Sequence, residues 1–177
     1  MSRASQASKS STKCLSHIYS LDLTNIDVNK AWNKFENIAW RLPNVGRLSI
    51  NIRTQSHVNA MYNLTLLDNL QELLLYGGVY LNVGHRPLIY DITQKLPRLQ
   101  RLLLEVYPGN INQIAESVPN LTSLNITAAR RDKLVHLNSF TVLSKLRELK
   151  ITAIGNKAPE PFDQLSKFTT FTQLNLT

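Results

Sequence analysis

Catalysis needs nucleophiles, bases or metal ligands held at workable spacing, and this chain offers few. Its four histidines (His17, His57, His85 and His136) stand at unrelated positions, with no H-x-x-x-H or C-x-x-C pair to gather a metal. Cys14 is the only cysteine, so no intramolecular disulfide forms. His17 lies near Cys14, but a serine-rich tail does not hold a thiol and a base in register. Gly77-Gly78 lacks the helix-start pattern that would cradle a phosphate. Four carboxylates, Asp22, Glu72, Glu105 and Glu148, could converge for acid–base work, yet they recur singly along the chain and read more simply as solvated strand residues. The residues point to a non-enzyme with no cofactor and no metal site.

What the chain does hold is a repeated apolar spacing. "LPRLQRLLLEV" at 96–106 and "VPNLTSLNITA" at 118–128 align column for column. The pattern apolar-x-x-apolar-x-x-apolar-x-apolar occurs at Leu15/Ile18/Leu21/Leu23, Leu42/Val45/Leu48/Ile50, Leu67/Leu70/Leu73/Leu75 and Leu96/Leu99/Leu102/Leu104. It returns at Val118/Leu121/Leu124/Ile126, Leu143/Leu146/Leu149/Ile151 and Phe168/Phe171/Leu174/Leu176. Successive starts advance by 27, 25, 29, 22, 25 and 25 residues. A period in the twenties with this core predicts stacked units, each a short strand and a return segment, whose neighbours together bury one continuous core.

The closing triplet of each unit reads as a strand, with its first and third residues facing the interior and its middle residue facing away. Several return segments carry helical spacing. These are Ala31/Phe35/Ile38/Ala39/Leu42, Leu88/Ile92/Leu96 after Pro87, Ile111/Ile114/Ala115/Val118, and Leu134/Leu137, with a shorter Phe162/Leu165/Phe168 after Pro159 and Pro161. The expected architecture is an α/β solenoid of about seven units, a right-handed horseshoe arc with a parallel sheet on the concave side and helices on the convex side. Residues 1–13 read as a basic, serine-rich disordered tail, and 14–177 as the repeat domain.

With 177 residues the chain can bury a sizeable core, and no apolar run approaches a membrane span. Four N-x-T sequons (Asn63, Asn120, Asn125 and Asn175) are close to chance in an Asn-, Ser- and Thr-rich chain. The net charge of +8 opens an alternative reading as a basic nucleic-acid-associated protein. The distribution argues against a dedicated site, since only Arg130-Arg131-Asp132-Lys133 is dense and no Arg–aromatic stacking platform is present.

Residues that alternate with the interior anchors are free to carry recognition. Before the third anchor stand Ser20, Arg47, Glu72, Arg101, Ser123, Glu148 and Gln173; between the last two stand Asp22, Ser49, Leu74, Leu103, Asn125, Lys150 and Asn175. Just after come Thr24, Asn51, Tyr76, Glu105, Thr127, Thr152 and Thr177. These columns are mostly polar, but Leu74, Tyr76 and Leu103 cluster, rimmed by Arg47, Glu72, Arg101 and Glu105. An apolar centre with a charged rim has the composition of a protein-recognition hot spot. The competing reading is that the segment Gly77–Pro87 folds over these side chains and buries them internally.

The repeats resemble the leucine-rich repeat superfamily over about residues 15–177. The stretches "LPNVGRLSI", "LPRLQRLLL" and "NQIAESVPNLTSLNI" look like the irregular, helix-backed repeats of the ribonuclease-inhibitor-like and F-box types. Many members place an asparagine three residues after the last strand anchor; here that column holds Arg53, Gly78, Tyr107, Ala129 and Ile154, so that ladder is absent. The resemblance implies a protein-protein interaction scaffold. In its F-box version the arc would grip a substrate for ubiquitination and work with a cullin–RING ligase adaptor. The F-box itself is missing ahead of Leu15, which suggests a fragment, a diverged copy or a free-standing arc. Extracellular members usually carry cysteine-stapled caps, so a cytoplasmic or nuclear location is expected.

Overall fold

A computed structural model describes residues 14–26, 39–52, 61–77, 86–105, 111–128, 137–153 and 172–176. The three-residue gap between the first and second anchors is one β-turn. The amide of the second anchor donates to the carbonyl of the first in Ile18–Leu15 (3.1 Å), Val45–Leu42 (3.3 Å), Leu70–Leu67 (3.0 Å), Leu99–Leu96 (3.0 Å), Leu121–Val118 (3.1 Å) and Leu146–Leu143 (2.9 Å). Pro43, Pro97 and Pro119 occupy the second position of three of these turns, where the ring's fixed φ suits the geometry.

Each turn feeds a strand. The strands are β1 (Ser20–Leu23), β2 (Arg47–Asn51), β3 (Glu72–Tyr76), β4 (Arg101–Leu104), β5 (Ser123–Ala128), β6 (Glu148–Ala153) and β7 (Gln173–Leu176). They form one sheet in sequence order, every neighbouring pair parallel. The register never slips: Ser20, Arg47, Glu72, Arg101, Ser123, Glu148 and Gln173 form a single row across the sheet. Alternation then sends Leu48/Ile50, Leu73/Leu75, Leu102/Leu104, Leu124/Ile126 and Leu149/Ile151 into one buried core. The anchors of the first unit, Leu15, Ile18, Leu21 and Leu23, pack on that core while only partly buried.

The turns are coupled from unit to unit. The carbonyl just before each strand's opening residue accepts two amides of the next unit. Tyr19 accepts from Gly46 and Arg47, Gly46 from Gln71 and Glu72, Gln71 from Gln100 and Arg101, and the pattern continues to Arg147, which accepts from Thr172 and Gln173. Asparagines in the turns add a second set of ties. Asn44 Nδ2 donates to Ser16 O at 2.6 Å, Asn69 Nδ2 to Pro43 O at 2.6 Å, and Asn120 Nδ2 to Pro97 O at 3.2 Å. A side-chain amide that satisfies a turn carbonyl fixes the spacing of adjacent units. An asparagine ladder therefore exists, in a column ahead of the strands rather than behind them.

The return segments differ by length. Helix α1 (Arg86–Gln94) and helix α2 (Ile111–Ser117) fall where the apolar spacing put them. Their contact holds a buried polar pair, Thr93 Oγ1 and Ser117 Oγ, 2.9 Å apart, each also 3.0 Å from a carbonyl of its own helix (Tyr90 and Ile114). Two others are 3-10 helices, Met61–Leu66 and Leu137–Val142. The first was not anticipated, and the second stands where Leu134/Leu137 suggested an ordinary helix. Three residues per turn stack side chains at i and i+3, and Met61, Leu64 and Leu67 are buried in that spacing, as are Phe140 and Leu143.

Several sequence expectations lie outside the described residues. They are the 1–13 tail, the Ala31–Ile38 stripe, the loop residues 78–85, the Arg130–Lys133 cluster and the Phe162/Leu165/Phe168 helix.

Candidate functional site

The unslipped register decides which chemistry-bearing side chains meet. Glu72 and Glu148 share the opening row but stand three strands apart, about 14 Å at the usual strand spacing, so they do not form an acid–base pair. Asp22 lies in the middle row of β1, opposite Ser49, and Glu105 lies just past β4. Asp22 is held below the ordinary carboxylate value of 3.8, first by the Thr24 backbone amide and then by the Thr24 hydroxyl, both donating to its Oδ1 (2.9 and 2.7 Å). This local Asx turn ends β1. Cys14 Sγ is exposed and donates to Arg41 O at 3.7 Å. His17 is exposed, while His57, His85 and His136 lie outside the described residues. Among the described residues no three His, Cys, Asp or Glu side chains gather as a metal site, and no helix is long and apolar enough to cross a membrane.

The seven residues picked out as a recognition patch are brought together on β2, β3 and β4. Arg47, Glu72 and Arg101 are neighbours in the opening row, and Arg47 Nη1 reaches Glu72 Oε2 at 3.3 Å. Leu74 and Leu103 are neighbours in the middle row, between Ser49 and Asn125. Tyr76 follows opposite Asn51, and Glu105 is fixed beside it by its amide, which donates to Leu75 O at 2.8 Å. Exposure is uneven. Arg47, Arg101 and Glu105 are exposed and Glu72, Tyr76 and Leu103 are half-buried, but Leu74 retains only 7% of its surface. Leu74 and the adjacent Ser49, at 6%, are buried without belonging to the core cluster. The accessible part of the patch is therefore Leu103, Tyr76 and the charged rim, not its expected centre.

The far end of β3 is shaped by Gly77. Its φ is 116°, and a Cβ there would collide with Ile52 O. This close approach lets Ile52 N donate to Tyr76 O at 2.7 Å, which ties the end of β2 to the residue that presents the Tyr76 ring. Asn51 Oδ1 sits in the same corner, buried and unpartnered among the described residues.

Sequence reasoning passed over a second group, Lys145 and Arg147, which lie in the turn and lead-in of β6. Both flank the anchor Leu146, and their alternation with Leu143, Leu146 and Leu149 was the available signal, since non-anchor residues of the turn face water.

No protein-family model matches the chain, and no curated protein matches it. Among solved structures it is similar to an internalin C2 from Listeria monocytogenes, with 16% identity over 77% of this chain and 63% of that one, at a TM-score of 0.46. It is also similar to an internalin F of the same organism, with 15% identity over 92% of this chain and 57% of that one, at a TM-score of 0.43. The chain spans about six-tenths of the length of these structures. The assignment as a leucine-rich-repeat-like solenoid stands on the chain's own periodic turns and its sequence-ordered parallel sheet.

Proposed function

We propose that the chain is a non-catalytic protein-recognition arc that grips a partner with the open face of its sheet. One observation carries this reading: Leu103 and Tyr76 stand half-buried on the face turned away from the core, between the Arg47–Glu72 pair, Arg101 and Glu105. Partly exposed aliphatic and aromatic groups inside a charged rim supply the dry centre and polar edge that protein interfaces use. A finer version of the proposal makes the arc, a right-handed horseshoe of about seven repeats, the substrate-recognition part of an F-box-type ubiquitin-ligase receptor acting in the cytoplasm or nucleus. The helix-backed "LPRLQRLLL" type of repeat supports that version.

The test is affinity purification from cell extract with mass spectrometry, comparing wild type with Leu103→Asp and Tyr76→Ala, and with Tyr62→Ala on the exposed side of a return segment as control. Proteins lost from the first two samples and kept by the control support the concave-face reading, and co-recovery of a cullin–RING adaptor supports its finer version. Identical protein sets from all four samples would remove the patch from consideration.

A further inference from the structure

Beside the apolar patch, along the edge where the strands begin, runs a groove of about 740 Å³ spanning β4 to β7. Arg101 borders it on β4, Lys145 and Arg147 border it ahead of β6, Thr122 and Thr172 line it, and Glu148 is its one carboxylate among the described residues. Three cations thus face one anion. Lys145 is held in place, its Nζ donating to Asn120 Oδ1 at 2.6 Å, and the ammonium keeps further hydrogens for another acceptor. Arg47 on the neighbouring rungs is matched by Glu72, but among the described residues no ion pair involves Arg101, Lys145 or Arg147. The excess charge is local to this groove and is not simply a share of the chain's net +8.

We infer that this groove binds an acidic segment of the partner protein, extended in polyproline-II form, with two carboxylates three residues apart. The inference rests on the protein-recognition reading and adds a partner class to it. Arg101 opens β4 and Arg147 immediately precedes β6, two strands on, which sets their backbones about 10 Å from each other across the sheet. A polyproline-II chain has three residues per turn and rises about 3.1 Å per residue, so its residues i and i+3 share a face about 9 Å apart. One carboxylate then meets Arg101, and the other meets Arg147 with Lys145. Glu148 follows Arg147 and ends the row Arg101–Ser123–Glu148, so a carboxylate stands beside the second position and disfavours a continuous run of anions. That separates a spaced acidic peptide from a nucleic-acid strand, which carries a phosphate at every step. The hydroxyls of Thr122 and Thr172 donate to Gln100 O (3.1 Å) and Arg147 O (3.2 Å), and each keeps acceptor capacity for an amide of the peptide.

The experiment is fluorescence anisotropy at low salt with a labelled proline-rich nonapeptide carrying glutamates at its fourth and seventh positions. The comparison ligands have the glutamates adjacent, have glutamines in their place, or are a uridine nonamer. The spaced glutamate peptide is expected to bind most tightly, with Arg101→Glu and Arg147→Glu each weakening it by about tenfold or more. Lys95→Glu, an equal charge change outside the groove, is expected to change binding by no more than about twofold. Lys145→Gln, a milder change, serves if a charge reversal unfolds the chain, and a loss of about threefold is expected. Equal binding of the glutamine or adjacent-glutamate peptide, tighter binding of the uridine nonamer, or an equal loss with Lys95→Glu would overturn the inference. Tyr76→Ala leaves this assay unchanged if the two subsites are separate, so failure here is distinguishable from failure of the apolar patch.

Discussion

Gly77→Ala tests how the recognition face is built. Gly77 has a φ of 116°, where a side chain strains the backbone by about 1–3 kcal/mol. The added Cβ would collide with Ile52 O, lie 3.0 Å from Ile52 C and sit 2.8 Å from Asn51 Oδ1. Relieving that crowding moves the Ile52 peptide group and costs about 1–3 kcal/mol more. Alanine also restricts the unfolded chain, which offsets about 0.4–1 kcal/mol. The net loss is about 3 kcal/mol, equivalent to a fall in melting temperature of about 6–12 °C for a chain of this size. Gly46→Ala is the internal control: the same Cβ there meets only Asn69 O at 3.7 Å, ordinary contact, and stability should stay within about 1 kcal/mol of wild type. Urea and thermal unfolding followed by circular dichroism measure both variants. A Gly77→Ala protein less than about 1 kcal/mol below wild type, or one no worse than Gly46→Ala, would refute the reasoning.

Two further outcomes follow from the turns. Asn69→Ala removes the 2.6 Å bond to Pro43 O and the acceptor used by the Arg98 guanidinium, and should lower stability by about 1 kcal/mol in urea unfolding at unchanged slope. Asn69→Asp keeps an acceptor for the Arg98 guanidinium but sets a carboxylate oxygen against Pro43 O, so it should not restore the stability lost with the Pro43 tie. Asp22 should titrate below 3.8 by carboxyl NMR, and Thr24→Val, which removes the hydroxyl donor and spares the backbone amide, should move the midpoint up. Because the folded-state value is lowered, the Asp22 contribution is complete above the unfolded value and is lost only as pH falls through the lower, folded one. Between about pH 8 and 5 it should therefore be constant.

The strands were readable because their constraint is periodic. An apolar residue three before the next forces a turn, and an apolar-x-apolar triplet forces a one-sided strand, so the rows Arg47–Glu72–Arg101 and Leu74–Leu103 follow from the spacing alone. Helices α1 and α2 were readable for the same reason. The Met61–Leu66 connection was not, because Met61, Leu64 and Leu67 at spacing three match no α-helical stripe and make sense only once a 3-10 turn stacks them. The exposure of the candidate patch was also hidden. Leu74 and Leu103 look equivalent in the alignment, yet one is buried and the other half-exposed. The groove between Arg101 and Arg147 joins residues 46 positions apart whose closeness depends on the two strand steps between them.

The sequence by itself therefore determined the repeat, the strand phase and the identity of each row, because these follow from local geometry copied once per unit. The tertiary structure alone decided the burial of Leu74, the asparagine ties of Asn44, Asn69 and Asn120, and the requirement for glycine at 77. It also decided that Arg101, Lys145 and Arg147 face one groove. Each of these depends on a distance between neighbouring units, and such a distance is set only when the units stack.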